Sequence, residues 1–276
     1  MALPLPLTLS PSKVTAFTDC AMAFRFSAID RVPEPPSLAA TRGTLVHAAL
    51  ERLMLAEPDQ RTRARASVCL AEAHAALAED PELAGLGLDE EGQASLRADA
   101  EDLLDGYFAL EDPTRVHPIG IELMLQVEVG GVALRGIIDR LELDDDGELV
   151  VTDYKTGRAP GVQYEQKRLA GVAFYSLLCE RLFGRRPARV RLLHLADPVT
   201  ITTVPNDRST RGVEQRLGAI WKAVERACER EDFRPNPSRR CEWCGFRAWC
   251  PAWGGDPAAA PRIEAETPVE LATAVG

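Results

Sequence analysis

The stretch GIIDRLELDDDGELVVTDYKTG at 136–157 decides the fold. Apolar stretches lie on both sides of Asp144-Asp145-Asp146-Gly147, a turn signal, so two strands of a hairpin are expected. One is VALRGIIDRLEL at 132–143 and the other ELVVTDYK at 148–155. Upstream, Gly130-Gly131 marks another tight turn, which makes IGIELMLQVEV at 119–129 a third strand of the same meander. Downstream, a helix is expected over about 163–183, followed by a buried strand, RVRLLHLA at 189–196. VTITTV at 199–204 pairs with it across Asp197-Pro198, and a last helix covers about 208–231. Helix, three meandering strands, helix and strand predict an α/β layer on a mixed sheet rather than a doubly wound parallel one. No G-x-G-x-x-G or Walker loop is present, which argues against a dinucleotide enzyme or an NTPase.

N-terminal to the meander, a helix capped by Ser10 or Ser12 is expected to run to about Phe26. VPEPPS at 32–37 is a loop, and Thr41 or Thr44 begins the helix TRGTLVHAALERLMLAE, which Pro58 ends. Ala/Leu-rich acidic helices over about 63–79 and 89–110 form a helical insertion at about 58–115. One domain over 1–255 and a flexible Ala/Pro/acid-rich tail at 256–276 complete the expected organisation.

The 276 residues suffice for a substantial core, and 46% hydrophobic and 27% charged residues are ordinary for a soluble protein. MALPLPLTLSPSK at 1–13 lacks a basic segment before its apolar residues and is broken by prolines, a poor signal peptide. No run reaches membrane-spanning length, so a cytoplasmic protein with reduced thiols is expected. The net charge of −10 hides an asymmetry: residues 1–150 hold 12 Lys and Arg against 27 Asp and Glu, whereas 151–250 hold 19 against 11. The basic half can attract phosphate, although arginines on solvated helix faces give the same count. Lys167, Arg168, Arg185, Arg186, Arg239 and Arg240 are candidate phosphate contacts.

Strand alternation puts Asp153 and Lys155 on one face and Tyr154 on the other. A carboxylate and a lysine at a strand end can hold a divalent cation and orient a water or neutralise developing phosphate charge. A surface ion pair is the competing reading. Asp139 follows the apolar pair Ile137-Ile138, where a lone carboxylate is expensive. It can pair with Arg135 or Arg140, or share a cation with Asp153 across the hairpin. His47, on a helix face with Gly43 one turn earlier, adds an imidazole to this hard-cation set; read alone it is a structural histidine. Cys20 and the knuckle CEWCGFRAWC at 241–250 supply four thiols, Cys20, Cys241, Cys244 and Cys250. Their C-x2-C-x5-C spacing leaves zinc and iron–sulfur open. Cys69, Cys179 and Cys228 fit helical core positions.

GTLVHAALE, then GIIDRLEL, then VTDYKTG, bracketed by the four cysteines, resembles the RecB-like branch of the PD-(D/E)XK nuclease superfamily. It is similar in particular to iron–sulfur members such as the AddB nuclease domain and CRISPR-adaptation nucleases. The resemblance runs from about Ser10 to Pro251. It implies a restriction-endonuclease-like core, with His47, Asp139, Asp153 and the Tyr154 carbonyl as ligands of Mg²⁺ or Mn²⁺, and Lys155 as the catalytic lysine. Asp139 and Asp153 then serve catalysis through the metal, and Glu122 is a supporting acid. Tyr175 matches a family tyrosine, but Gly171 stands where the family carries glutamine, and Gln166 is a replacement. The resemblance also favours a 4Fe–4S cluster over structural Zn²⁺, with Trp243, Phe246 and Trp249 packed around it. The implied activity is a DNA exonuclease of repair or recombination, acting on single-stranded or frayed ends. A helicase or other repair protein is the implied partner, with no membrane. A DNA-end-binding module that does not cut is the alternative.

Overall fold

Gly130 (φ 59°) and Gly131 (φ 79°) occupy left-handed positions that glycine takes without strain. They close the hairpin between β1 (Pro118–Val129) and β2 (Val132–Leu143). A second turn, with Gly147 at φ 73°, leads into β3 (Leu149–Lys155), and Asp144 accepts the amides of Asp146 and Glu148 there. The computed structural model describes residues 2–159 and 165–262, without the side chains of 165–170 and 172. β4 (Arg189–His194) lies parallel to β3, and β5 (Val199–Thr203) runs antiparallel to β4. The sheet order is β1-β2-β3-β4-β5, a mixed sheet whose single parallel pair needs the crossover helix that the sequence order implied.

The helices are α1 (Pro11–Asp19), α2 (Ala21–Phe24), α3 (Leu38–Leu55), α4 (Arg63–Ala76), α5 (Pro81–Ala84), α6 (Glu90–Leu110), α7 (Glu165–Phe183) and α8 (Asp207–Arg230). None of them is long and apolar enough to cross a membrane. Two boundaries differ from expectation. The first helix breaks at Cys20, which takes extended geometry (φ −160°, ψ 109°), caps α2 and is followed by a π-helical turn at Arg25–Ile29. The main helix starts earlier than Thr41 or Thr44, because Ser37, directly after Pro35-Pro36, is the residue whose side chain accepts the Ala40 amide. Thr41 is buried instead.

The chain divides into two compact units. The larger comprises Leu7–Pro11 and Pro35–Trp221. Its core joins Leu45, Leu53, Leu70, Leu104 and Tyr107 of α3, α4 and α6 to Tyr154, Leu193 and Leu195 of the sheet. Gly106 is required there, since a Cβ would overlap the Leu195 carbonyl. α7 packs on the meander at Gly136, where a Cβ would lie 2.9 Å from Leu178 and 3.0 Å from Tyr175. The smaller unit comprises Met1–Pro6, Ser12–Glu34 and Lys222–Gly276. Within it, Pro257–Ala259 forms a 3₁₀ turn and Arg262 reaches Asp30 at 3.6 Å. The remainder of the expected tail, from 263, lies outside the described residues. Cys69, Cys179 and Cys228 are buried.

Candidate active site

Pairing between β2 and β3 extends only as far as Arg140 opposite Thr152. Where the strands part, the Asp139 carboxylate takes the place of the missing ladder acceptor and receives the Tyr154 amide at 2.6 Å. Asp139 is thereby held at the end of β3, 8% exposed, beside Asp153, 4% exposed. Lys155 Nζ contacts Asp153 Oδ2. Tyr154 points to the opposite face, as strand alternation requires. Its ring meets Tyr107 at 5.8 Å and the edge of His47 at 5.9 Å, and its hydroxyl accepts from Arg140 at 3.0 Å.

Two further elements complete the group. Glu122 stands in β1 between the pairs Ile121–Arg140 and Leu123–Ile138, level with Asp139. It holds φ 45°, a conformation that an L residue keeps only where its surroundings impose it. His47 comes from α3, with Nδ1 3.6 Å from Asp139 Oδ2 and 3.8 Å from Glu122 Oε1. Ligand atoms of His47, Glu122 and Asp139 all lie within 4.8 Å of one another. An open cleft of about 590 Å³ borders His47 and Glu122, lined also by Gly43, Thr44, Glu51 and Thr156. Gly43 lets α3 approach the end of β3, since a Cβ there would sit 3.2 Å from Thr156 Oγ1.

Burial, and then the charge of Asp153, push the Asp139 carboxyl up to about 7. For His47, burial favours the neutral ring, but the nearby Glu122 carboxylate and the charges of Asp139 and Asp153 outweigh it and raise the pKa. Burial and the same three carboxylates push the Tyr175 phenol well above its ordinary value, so it stays protonated beside them. A buried site of this charge is costly without a cation to share.

The alternative partners of Asp139 are not used. Arg135 is exposed, and Arg140, one residue on, points the other way. Arg140 is fully buried, pairs through both terminal nitrogens with Glu111 and through Nε with Glu142 at 2.8 Å, and donates to Thr152. Arg191 closes the box, at 3.1 Å from Glu111 and 3.3 Å from Glu142. Glu111 and Arg191 had no motif to mark them. The alternation that separates Arg140 from Asp139 was readable; the return of Glu111 from the end of α6 was not.

Of the candidate phosphate contacts, Gln166's neighbours Lys167 and Arg168 lie in the first turn of α7, and the side chains of all three fall outside the described residues. Arg185 is held by Glu148 and the Gly147 carbonyl, and Arg186 by Asp207. Arg185 therefore belongs at the start of β3, the end opposite Lys155. Arg240 pairs with Asp19.

In the smaller unit, Cys20, Cys241, Cys244 and Cys250 line one pocket with Met22, Phe26 and Phe246. Cys20 Sγ accepts the Asn236 amide and Cys241 Sγ the Ser238 amide, each at 3.4 Å. Burial raises the Cys244 thiol, and its neighbours Cys20, Cys241 and Cys250 add to the rise. Phe246 is buried 5.5 Å from Phe26, but Trp243 is 78% exposed and does not pack on the pocket as expected, because the Arg239–Trp243 turn projects it outward.

Residues 8–251 match the family model of the PD-(D/E)XK nuclease superfamily. The chain belongs to this superfamily. Among curated relatives, the Gene 69 protein of Mycobacterium phage D29 is 25% identical over 274 residues, covering 90% of this chain and 98% of that protein. The Gene 69 protein of Mycobacterium phage L5 is 28% identical over 137 residues, 48% of this chain and 44% of that protein, so the chain spans under half of that relative's length. A solved candidate exonuclease from Eubacterium rectale superposes with a TM-score of 0.55 at 12% identity over 86% of this chain and 87% of that one. At that identity the superposition speaks for the nuclease fold alone. The D-x-K pattern of the superfamily's name stands here as Asp153-Tyr154-Lys155, with Asp139 ahead of it.

Proposed function

We propose that this chain is a metal-dependent deoxyribonuclease that hydrolyses phosphodiester bonds, removing nucleotides from single-stranded or frayed DNA ends in repair or recombination. The convergence of His47, Glu122 and Asp139 beside Asp153 and Lys155, at one end of a superfamily sheet, carries this reading. The donor set fits Mg²⁺ or Mn²⁺: hard carboxylate oxygens and one imidazole, in a buried site whose charge calls for a cation. Bound there, such an ion supplies a more acidic water and polarises the scissile phosphate. His47, Asp139 and Asp153 are the proposed ligands, with Glu122 near enough to His47 to join or support them. Tyr154 turns its amide to Asp139, and in an extended strand its carbonyl faces the same way, which suits a backbone ligand. The Lys155 ammonium, poised by Asp153, stabilises negative charge arising at phosphorus. The protonated Tyr175 phenol can donate to the same carboxylates or to phosphate. A helicase or other repair protein, supplying unwound ends, is the proposed partner.

The four thiols are proposed to hold a 4Fe–4S cluster that staples Cys20 to the knuckle, as in AddB-type nucleases. They share one pocket with apolar walls and receive amide hydrogen bonds. The same four thiols could hold a structural Zn²⁺ instead, and metal analysis separates the two.

Anaerobically purified protein should degrade end-labelled linear DNA with Mn²⁺ or Mg²⁺ and spare a closed circle. Asp153→Ala and Lys155→Ala should each reduce the rate at least about 100-fold, while the visible iron–sulfur absorption persists. Undiminished cleavage by either variant ends the site assignment. A colourless preparation with one zinc per chain ends the cluster assignment.

A further inference from the structure

Pro235-Asn236-Pro237-Ser238, just ahead of the knuckle, alternates residues without and with a backbone N–H. The proline after Asn236 biases that residue to extended geometry, and Ser238 is extended too (φ −153°, ψ 178°). An extended chain turns alternate amides to the same side. The two prolines therefore remove donors from the other side. Both remaining N–H groups go to cysteine sulfur, Asn236 to Cys20 and Ser238 to Cys241, each at 3.4 Å. Ser238 and Cys241 are near neighbours, whereas Cys20 lies 216 residues from Asn236 along the chain. The Asn236 side chain adds a second tie. Its nitrogen donates at 2.9 Å to the carbonyl of Asp19, one of those that α1 leaves without an intrahelical partner where it stops. Arg240 pairs with the Asp19 carboxylate. The helix break that exposes the Cys20 thiol is thus held at residue 19 by side chains and at residue 20 by a backbone amide, all within the smaller unit. Every partner in this set is a protein group, so the set can form ahead of a metal centre.

We propose that this segment is a cradle that brings Cys20 to the knuckle before the centre is loaded, with Asn236 as its positioning residue. This rests on the reading that the four thiols hold one centre, and it assigns their assembly to the chain rather than to the incoming iron or zinc. Cys241, Cys244 and Cys250 stand close in sequence and meet an ion as a local group. Cys20 joins them only by closing a long loop, at an entropic cost that a preformed cradle removes from the loading step. Pro235, Asn236 and Pro237 line the same pocket as the four cysteines, which puts the cradle at the site. Its N–H groups also favour the charged sulfur over the neutral one once the thiols ionise. The Arg240 side chain is 69% exposed, so its ion pair contributes little, whereas Asn236 makes two bonds to the Asp19-Cys20 pair.

Asn236→Asp keeps the size of the side chain but removes its donor and sets a carboxylate against the Asp19 carbonyl; Asn236→Gln keeps the donor. The test is iodoacetamide labelling of metal-free full-length protein, with Cys20 and Cys241 read separately by peptide mass spectrometry. In the parent, Cys20 should label more slowly than it does in urea. In Asn236→Asp it should label about fivefold faster than in the parent, the worth of one net hydrogen bond, with Cys241 unchanged. Asn236→Gln should stay near the parent. In holoprotein, Asn236→Asp should release its iron or zinc to a chelator about fivefold faster. Circular dichroism should match the parent, because Asn236 is exposed. Labelling of Cys20 at the parent's rate in Asn236→Asp overturns the proposal. So does a metal-free parent whose Cys20 labels as it does in urea, because the centre and not the chain would then bring it in. Equal acceleration at Cys20 and Cys241 overturns it as well, as a general loosening of the unit. A parent that takes up neither iron nor zinc sinks the centre alone, since the labelling pattern needs no metal.

Discussion

Asp139 accepts the Tyr154 amide and lies beside Asp153, and burial with that second charge pushes its carboxyl up to about 7. An acid whose folded pKa stands above its unfolded value near 4 stabilises the fold while protonated. That contribution is fully present below about 4 and is lost as pH rises to about 7. The raised pKa of His47 acts in the same direction, since its protonated form is favoured by three carboxylates. Metal-free Asp139→Asn should therefore melt above the parent at pH 8, with the difference closing near pH 4, because Asn can still accept the Tyr154 amide without bringing a charge. The same variant should lose Mn²⁺ binding by calorimetry. In the parent, Mn²⁺ affinity should fall steadily as pH drops below 7, because a proton must leave for the ion to bind. Both residues were legible in the sequence as a buried acid after Ile137-Ile138 and a histidine behind Gly43. Their mutual charge state was not, because it depends on how closely three chain segments approach.

At the scale of elements, the buried box of Arg140, Arg191, Glu111 and Glu142 binds the end of α6 to β2 and β4. It also fixes the Tyr154 ring, whose amide holds Asp139. Arg140→Met would leave two buried carboxylates with Arg191 as their one remaining cation and should destabilise the protein by about 3–5 kcal/mol, read from urea unfolding. Replacing Arg140 and Glu111 together should cost less than the sum of the single changes, because the partners share one network. Strand limits were legible here because alternation and Gly-Gly turns are local signals. The break at Cys20 was not: an Ala/Phe-rich stretch has every local reason to continue as helix, and the Cys20 thiol meets Asn236, more than two hundred residues away.

For the whole molecule, the smaller unit draws on both ends of the described chain, and a centre holding Cys20 and Cys241 closes a loop of about 220 residues. Chain entropy sets the worth of such a closure at roughly 5 kcal/mol as an upper guide. Cys20→Ser should therefore lower the urea midpoint reported by tryptophan fluorescence, a signal weighted to this unit because it holds Trp243, Trp249 and Trp253. An unaltered midpoint would show that the thiols carry no staple. Period-two strands, the D-x-K end of β3, the order of helices and strands and the four-thiol spacing were settled by the chain alone, since each is a property of neighbours in sequence. Only the tertiary structure set His47 against Glu122 and Asp139, turned Arg140 away to Glu111, and matched Arg181 and Arg186 with Glu214 and Asp207 of α8. Which charge neutralises which is a matter of distances in space, and Coulomb attraction and burial act across any separation along the chain.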